Sequence, residues 1–225
     1  MTQPLGNTER TQGNRLKDRA VTDRKVMYDI LDSTVLCHIG YVEFGQPFVL
    51  PYGYARDGDS ILIHGSTGAR FMRAMAAGAP VCVTVTKLDG MVLARSTFDS
   101  SMNYSSVVIL GVAQEVTGDE KAKALDVLSD GLVPGRVAEV RASLKKEVAA
   151  TMVVRLSLAE ASVKVRAHGV SEDGEGYASE ADLNSVWAGV IPLRTVAGEP
   201  EPADAAAAAL PLPASVVNYL KKPKV

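Results

Sequence analysis

The residues best suited to chemistry lie between a short apolar strand and a helix. Ile61-Leu62-Ile63 runs into His64-Gly65-Ser66-Thr67-Gly68-Ala69-Arg70, with a helix expected over 68–77. A strand feeding a glycine-containing turn that opens a helix is a generic anion cradle, because the first N–H groups and the positive helix end face whatever sits there. Ser66 or Thr67 can cap those N–H groups. Arg70 adds a fixed charge whose planar fork suits phosphate, and Gly78 and Pro80 stop the helix. The competing reading is a capped turn with a solvated arginine, and the residues alone leave both open.

Composition narrows the choice. A chain of 225 residues can bury one core with appendages. A formal net charge of −2 provides no basic field for a nucleic-acid backbone, so phosphate recognition would be local. No apolar run reaches the roughly 18 residues of a membrane-spanning helix, and the N-terminal stretch lacks the apolar segment of a secretory signal. No nucleic-acid or membrane partner is expected. Cys37 in VLCHIG and Cys82 in PVCVTV read as buried free thiols, which fits a reducing cytoplasm. His38, His64 and His168 lie far apart and show no metal-ligand spacing.

The elements that must position these residues read in order. Residues 1–20 are polar, a flexible arm that is either loose or draped over a partner. Thr22 can cap a helix from Asp23 to Asp32. Val35–Phe44 and Phe48–Arg56 read as strands joined by a Gly45-Gln46-Pro47 turn; Pro51 cannot donate to a ladder, so one side of its strand must be unpaired there, at an edge, a bulge or a ligand. Asp57-Gly58-Asp59 turns into Ser60–Ile63. Val81–Leu88 is a strand, Asp89-Gly90 signals a type I′ turn, and Met91–Thr97 is expected to return antiparallel. Tyr104–Val116 is the longest strand. A helix over Glu120–Ser129 faces Ala124, Leu125 and Leu128 inward, and a second helical stretch from Pro134-Gly135 carries Val137, Val140, Leu144 and Val148. Met152–Ala167 supplies one long strand or two short ones. An acidic loop (171–182) precedes the apolar Ser185–Leu193. Residues 196–225 form a low-complexity Pro/Ala tail that cannot build its own core and is disordered or laid extended across a surface. Consecutive strands joined by short turns predict a mainly β (α+β) fold, an antiparallel barrel of six to eight strands with peripheral helices.

LPYGYARDGD, LIHGSTGAR, NYSSVVILGVA and VWAGVIPL together resemble the pyridoxamine 5′-phosphate oxidase-related, FMN-binding split-barrel proteins. They are most similar to the nitroimidazole-resistance (Nim-like) branch, and the resemblance frames a domain over 21–195. It implies a split barrel and a homodimer with two FMN molecules at the subunit interface. It places the flavin phosphate on the strand-to-helix turn and on Arg70, in agreement with the cradle. It implies that Leu50, Pro51 and Tyr52 present backbone groups to the polar edge of the isoalloxazine, and that His64, Gly65, Ser66 and Arg70 line the phosphate and ribityl end. Ser96, Tyr104 and Ser106 would approach from neighbouring strands, and Trp187 would close the pocket.

Plainer readings stand beside these. Tyr52 and Tyr54 alternate with core positions and can be barrel side chains. His64 can be a supporting residue rather than a catalytic one. His38 reads as a core histidine with a backbone partner, Trp187 as a dimer-interface anchor, and Lys87 with Arg95 as a solvated hairpin face. Where pyridoxamine phosphate oxidases carry an arginine/histidine-rich motif for substrate phosphate, this chain has the apolar VWAGVIPL, so vitamin B6 oxidase activity is not expected. The expected function is an FMN-dependent oxidoreductase passing electrons from a nicotinamide donor to a small organic acceptor. No catalytic residue is assigned, because that chemistry is the flavin's own. The alternatives are a non-catalytic flavin- or haem-binding module and a deazaflavin-dependent reductase; haem would need an axial ligand, for which His64 and His38 are the candidates.

Overall fold

The computed structural model describes residues 4–6, 8–12, 17–172 and 176–221. Ala20–Val21 form strand β1, and helix α1 spans Arg24–Asp32. Its cap is Asp23 rather than Thr22: the Asp23 side chain accepts from the Lys25 N–H at 2.8 Å. Strands β2 (Leu36–Glu43), β3 (Gln46–Asp57) and β4 (Ser60–Ser66) follow as a meander, then helix α2 (Arg70–Ala76). Strands β5 (Pro80–Leu93), β6 (Ser101–Val112) and β7 (Gln114–Glu115) precede helix α3 (Gly118–Leu132). Helix α4 (Lys145–Ala150) leads into β8 (Thr151–Ser157) and β9 (Ala161–Arg166), so the expectation of one long or two short strands resolves as two. Helix α5 (Glu180–Asn184), strand β10 (Gly189–Pro192), and helices α6 (Ala205–Ala208) and α7 (Ala214–Lys221) complete the chain.

The ten strands form one antiparallel sheet in the order β1-β9-β6-β5-β2-β3-β4-β8-β7, with β10 on β5. Two features turn this sheet into a split barrel. Strand β3 changes partner along its length: residues 46–53 pair with β2 and 54–57 with β4. At the far end β7 pairs with β8 and is separated from β6 by Ala113 alone, so the sheet curls back on itself. The open edge expected at Pro51 is present, since its segment pairs with β2 on one side only.

Alternation sorts the two faces. Cys37, Ile39 and Tyr41 of β2, Val81, Val83 and Val85 of β5, Val107 and Ile109 of β6, and Val163 of β9 point into the barrel, where Met27, Ile30, Leu31, Phe71, Met72 and Met75 of α1 and α2 complete the core. Outside the barrel, Ala124 and Leu128 of α3 cover Ala55, Leu62 and Val153 on the outer side of β3, β4 and β8. At Gly131 the helix lies so close that an added Cβ would fall 2.6 Å from the Ala55 Cβ. Gly131→Val should therefore destabilise the fold by roughly 1–3 kcal/mol through overpacking, read as a lower urea midpoint; an unchanged midpoint would show that α3 can lift without cost.

Three expectations need correction. Asp89-Gly90 is no turn: β5 runs straight through it with a bulge at Asp89, whose carboxylate accepts from Ser105 Oγ at 2.8 Å and pairs with Lys87 Nζ at 3.1 Å. Residues 137–148 do not form one helix; a short 3-10 turn (Val137–Glu139) is followed by a loop and then α4. Helix α3 continues through Gly131 to Leu132, because Gly131 serves the close contact with Ala55. The chain ends are also more ordered in their described parts than composition suggests. Leu5 joins the main core, and Gly6 N–H donates to Ala161 O at 3.0 Å. Arg10 and Thr8 both bond Glu160. In the tail, Ser215 of α7 is buried, its N–H and hydroxyl both donating to the Glu139 carboxylate. Residues 1–3, 7 and 13–16 of the first segment and 222–225 of the second, with 173–175 of the acidic loop, lie outside the described set.

Candidate functional site

The strand-to-helix turn is held by its own hydrogen bonds. Ser66 Oγ accepts from the Gly68 N–H at 3.1 Å and Ser66 O from the Ala69 N–H at 3.0 Å, while the Thr67 N–H donates to Ala150 O. Ser66 thus braces the turn, and α2 starts at Arg70 behind an N-cap, Ala69, that has no capping side chain. Gly78, at φ +89°, ends the helix as expected, its N–H donating to Met75 O at 3.0 Å. Arg70 projects to solvent, lies over the Phe48 ring at 5.7 Å, and pairs through Nε with Glu43 Oε2 at 2.9 Å. Its charge is shared with a carboxylate contributed by the end of β2.

Beneath the turn an aromatic row packs α2 to the barrel. Phe71 lies 5.1 Å from Tyr52 and 4.7 Å from Tyr41, which stacks on Phe48 at 5.5 Å. Gly65 fits beside this row because any Cβ there would sit 2.8 Å from Met72 Cγ. Tyr52 and Leu50 are partly buried against the core, and burial raises the Tyr52 phenol pKa. Their backbone groups face β2, as the neighbouring Tyr54 N–H does in donating to Val35 O at 3.1 Å, and it is the Pro51 carbonyl between them that faces the open edge of β3. Tyr54 is a barrel side chain, buried with its hydroxyl donating to Leu31 O at 2.7 Å. His64 is exposed on the opposite face of β4 from Ile63. The protein around it still pushes its imidazole pKa below the ordinary value through desolvation.

The second half of the expected site lies elsewhere. Pro51, Tyr104 and Ser106 point to the outer face of the β3-β2-β5-β6 sheet, which no helix covers among the described residues. Leu36, Val42, Val49, Leu88 and Val112 are exposed on it. In the register Pro51–His38–Thr84–Val108, His38 sits near the middle of this face. The core placement read from sequence is therefore corrected: His38 alternates with buried Cys37 and Ile39 and is exposed. Its imidazole makes no hydrogen bond among the described residues. Cys82 shares the face, half-buried, whereas Cys37 is fully buried with Sγ donating to Tyr52 O at 3.4 Å. Burial pushes the Cys37 thiol up to about 12. At pH 8 only about one molecule in ten thousand would then carry the thiolate, so Cys37 is expected to resist a thiol reagent until the protein unfolds. Native-state labelling located by mass would check this, and modification of Cys37 in the folded protein would contradict it.

Ser96 is engaged in its own turn, donating to Asp99 Oδ2 at 2.6 Å. Trp187 is 65% exposed, its ring folded over Gly189. Arg95 anchors that segment rather than flanking a solvated hairpin: it pairs with Glu172, its Nε donates to Val186 O at 3.1 Å, and its carbonyl accepts from Tyr177. The expected residues thus fall into three groups: the α2 turn with Leu50, Tyr52, His64, Gly65, Ser66 and Arg70; the open sheet face with Pro51, Tyr104 and Ser106; and the separate segments bearing Ser96 and Trp187. Sequence reasoning missed His38 and Cys82 as members of the open face, although period-2 alternation in LCHIGYV and PVCVTV was the available signal. No group of three or more metal-ligating side chains occurs among the described residues, and no helix of the described residues is long and apolar enough to cross a membrane.

Comparison with known proteins bears on this arrangement. The chain is similar to the FAD and heme binding protein of Mycobacterium smegmatis, at 40% identity over 89% of this chain and 96% of that one, with a TM-score of 0.83. It is similar to the flavocytochrome Anf3 of Azotobacter vinelandii, at 37% identity over 96% of this chain and 98% of that one, with a TM-score of 0.85. A 5-nitroimidazole antibiotic resistance protein of Bacteroides thetaiotaomicron shares the fold at 19% identity, over 65% of this chain and 86% of that one, with a TM-score of 0.54. No curated protein sequence matches the chain. The profile described as pyridoxamine 5′-phosphate oxidase matches residues 23–165, more than half of the chain. The split barrel, its open sheet face and this match place the chain in the pyridoxamine 5′-phosphate oxidase family.

Proposed function

We propose that this chain is a flavin- and haem-binding redox protein that works as a homodimer, and that its flavin is FAD rather than the FMN expected from sequence. The observation that carries this reading is similarity at 40% and 37% identity, over nearly the whole of both chains, to proteins described as binding FAD and heme and as a flavocytochrome. The residues present fit both groups. On the unpaired edge of β3 the Pro51 carbonyl and the backbone groups of Val49 and Gly53 point away from β2, offering acceptors and donors to the polar edge of a flat ring. The open sheet face is apolar enough to exclude water from a planar cofactor, and a second copy laid against it would bury Leu36, Val42, Val49 and Val112. His38 offers an imidazole without a hydrogen-bond partner on that face as an axial donor for iron, with His64 the alternative.

When bound, flavin and haem would supply hydride and one-electron chemistry. The chain's own part is to seat, orient and shield them, which explains why no nucleophile or general-base pair is needed. A nicotinamide donor and a small organic acceptor complete the oxidoreductase reading. The test is to purify the full-length protein, record its visible spectrum, release the flavin by heat and weigh it. FAD by mass together with a haem Soret band supports the proposal. Release of FMN, a deazaflavin, or no flavin overturns the FAD assignment, and absence of a Soret band after expression with haem precursor overturns the haem one.

A further inference from the structure

Arg166 closes β9 and is only 4% exposed. One of its terminal nitrogens donates to Asn103 Oδ1 at 2.6 Å, but its buried Nε has no partner. Arg19, at the end of the 3-10 turn Lys17–Arg19, also buries its Nε without a partner. Strand pairing brings the two together: Arg19 directly precedes the Ala20↔Lys164 pair, and Arg166 lies two residues beyond Lys164. Burial lowers the Arg166 pKa and the neighbouring Arg19 charge lowers it further, while Tyr104, its register partner on β6, acts in the opposite sense.

The other shielded arginines are treated differently. Arg24 pairs with Asp59, Arg56 with Asp32, Arg95 with Glu172 and Arg155 with Asp57. Neither Arg19 nor Arg166 enters an ion pair among the described residues. Two like charges set side by side, one of them out of water and each with a buried, unmet Nε, are unfavourable unless an anion is supplied from outside the chain. Guanidinium groups offer planar forks of donors matched to the oxygens of a phosphate, and the Asn103 carboxamide holds one fork in place.

We infer that Arg19, Arg166 and Asn103 form a phosphate-binding site where the open sheet face meets β1, and that its occupant is the phosphate of the flavin nucleotide, an assignment that rests on the flavin reading above whereas the anion site itself does not. This site is distinct from the α2 turn, whose arginine is already paired with Glu43. Arg19 is partly exposed, so Arg19→Gln removes a charge without opening the core, and Arg19→Lys keeps the charge but not the fork. In the full-length protein, Arg19→Gln should raise the flavin dissociation constant at least about tenfold, with Arg19→Lys between the two and haem content unchanged. Inorganic pyrophosphate should displace flavin from the native protein more readily than inorganic phosphate does. Unchanged flavin affinity with haem lost would assign the pair to a haem carboxylate and overturn the proposal. Unchanged flavin and haem affinity would overturn it as well, leaving a purely structural pair. If the purified protein carries no flavin, the flavin reading fails separately and pyrophosphate alone decides. A rise in the native melting temperature that Arg19→Gln abolishes supports the anion site, and no rise overturns it.

Discussion

Phe71→Ala is expected to lose roughly 3–5 kcal/mol of stability, the range for truncating a buried aromatic. Phe71 is buried between Tyr41 and Tyr52 and is the residue through which α2 grips the barrel. Whole domains are stable by only about 5–15 kcal/mol, so the variant should unfold at a far lower urea concentration, and its α2 turn should become accessible to protease first. Phe71→Leu keeps most of the apolar volume and should recover more than half of the loss. Should Phe71→Ala unfold within error of the native midpoint, the aromatic row would be decoration and α2 would be held by Met72 and Met75 instead.

His38→Ala carries the second large effect. On the proposed reading it removes the iron donor while leaving the sheet intact, because the imidazole is exposed and makes no hydrogen bond among the described residues. Haem retention should weaken by at least about tenfold, equivalent to about 1.4 kcal/mol. FAD content and the urea midpoint should stay near native. Measured by Soret absorbance against total protein, a His38→Ala variant with full haem content would move the assignment to His64. Loss from both single variants would indicate that the two histidines act together.

Much of the fold was readable because its determinants are local. The glycines at 45 and 58 and the stop at Gly78 and Pro80 each sit beside the element they bound, although the first turn is Phe44-Gly45 with Gln46 and Pro47 already in β3, and Pro51 announced the unpaired edge of β3 by its missing N–H. The failures were of long range. Asp89-Gly90 has the chemistry of a turn, yet Ser105, Lys87 and the arriving β10 hold the chain extended there. The polar N-terminal stretch docks because Leu5 finds the core and Glu160, about 150 residues away, accepts from Arg10. The pairing of Arg70 with Glu43 was invisible for the same reason, and it alters the electrostatics of the turn that sequence singled out. His38 differs: its exposure was written in the alternation around it, and its side chain type obscured a pattern that Cys37, Ile39 and Tyr41 make plain.

The irregularity in β5 has a bearing on how the gene can change. Upstream of it the odd-numbered residues Val81, Val83 and Val85 are buried, whereas downstream the even-numbered Gly90 and Val92 are. The single unmatched residue resets the parity of the strand. Loss of the codon for Asp89 would remove the extra residue while leaving Leu88 opposite Tyr104, Gly90 opposite Asn103 and Val92 facing inward; what would be lost is the carboxylate that bonds Ser105 Oγ and Lys87 Nζ. This is therefore the place in β5 where the chain can shorten by one residue without turning its buried side chains outward, whereas losing a residue from a regular stretch of the strand would reverse the facing of those beyond it.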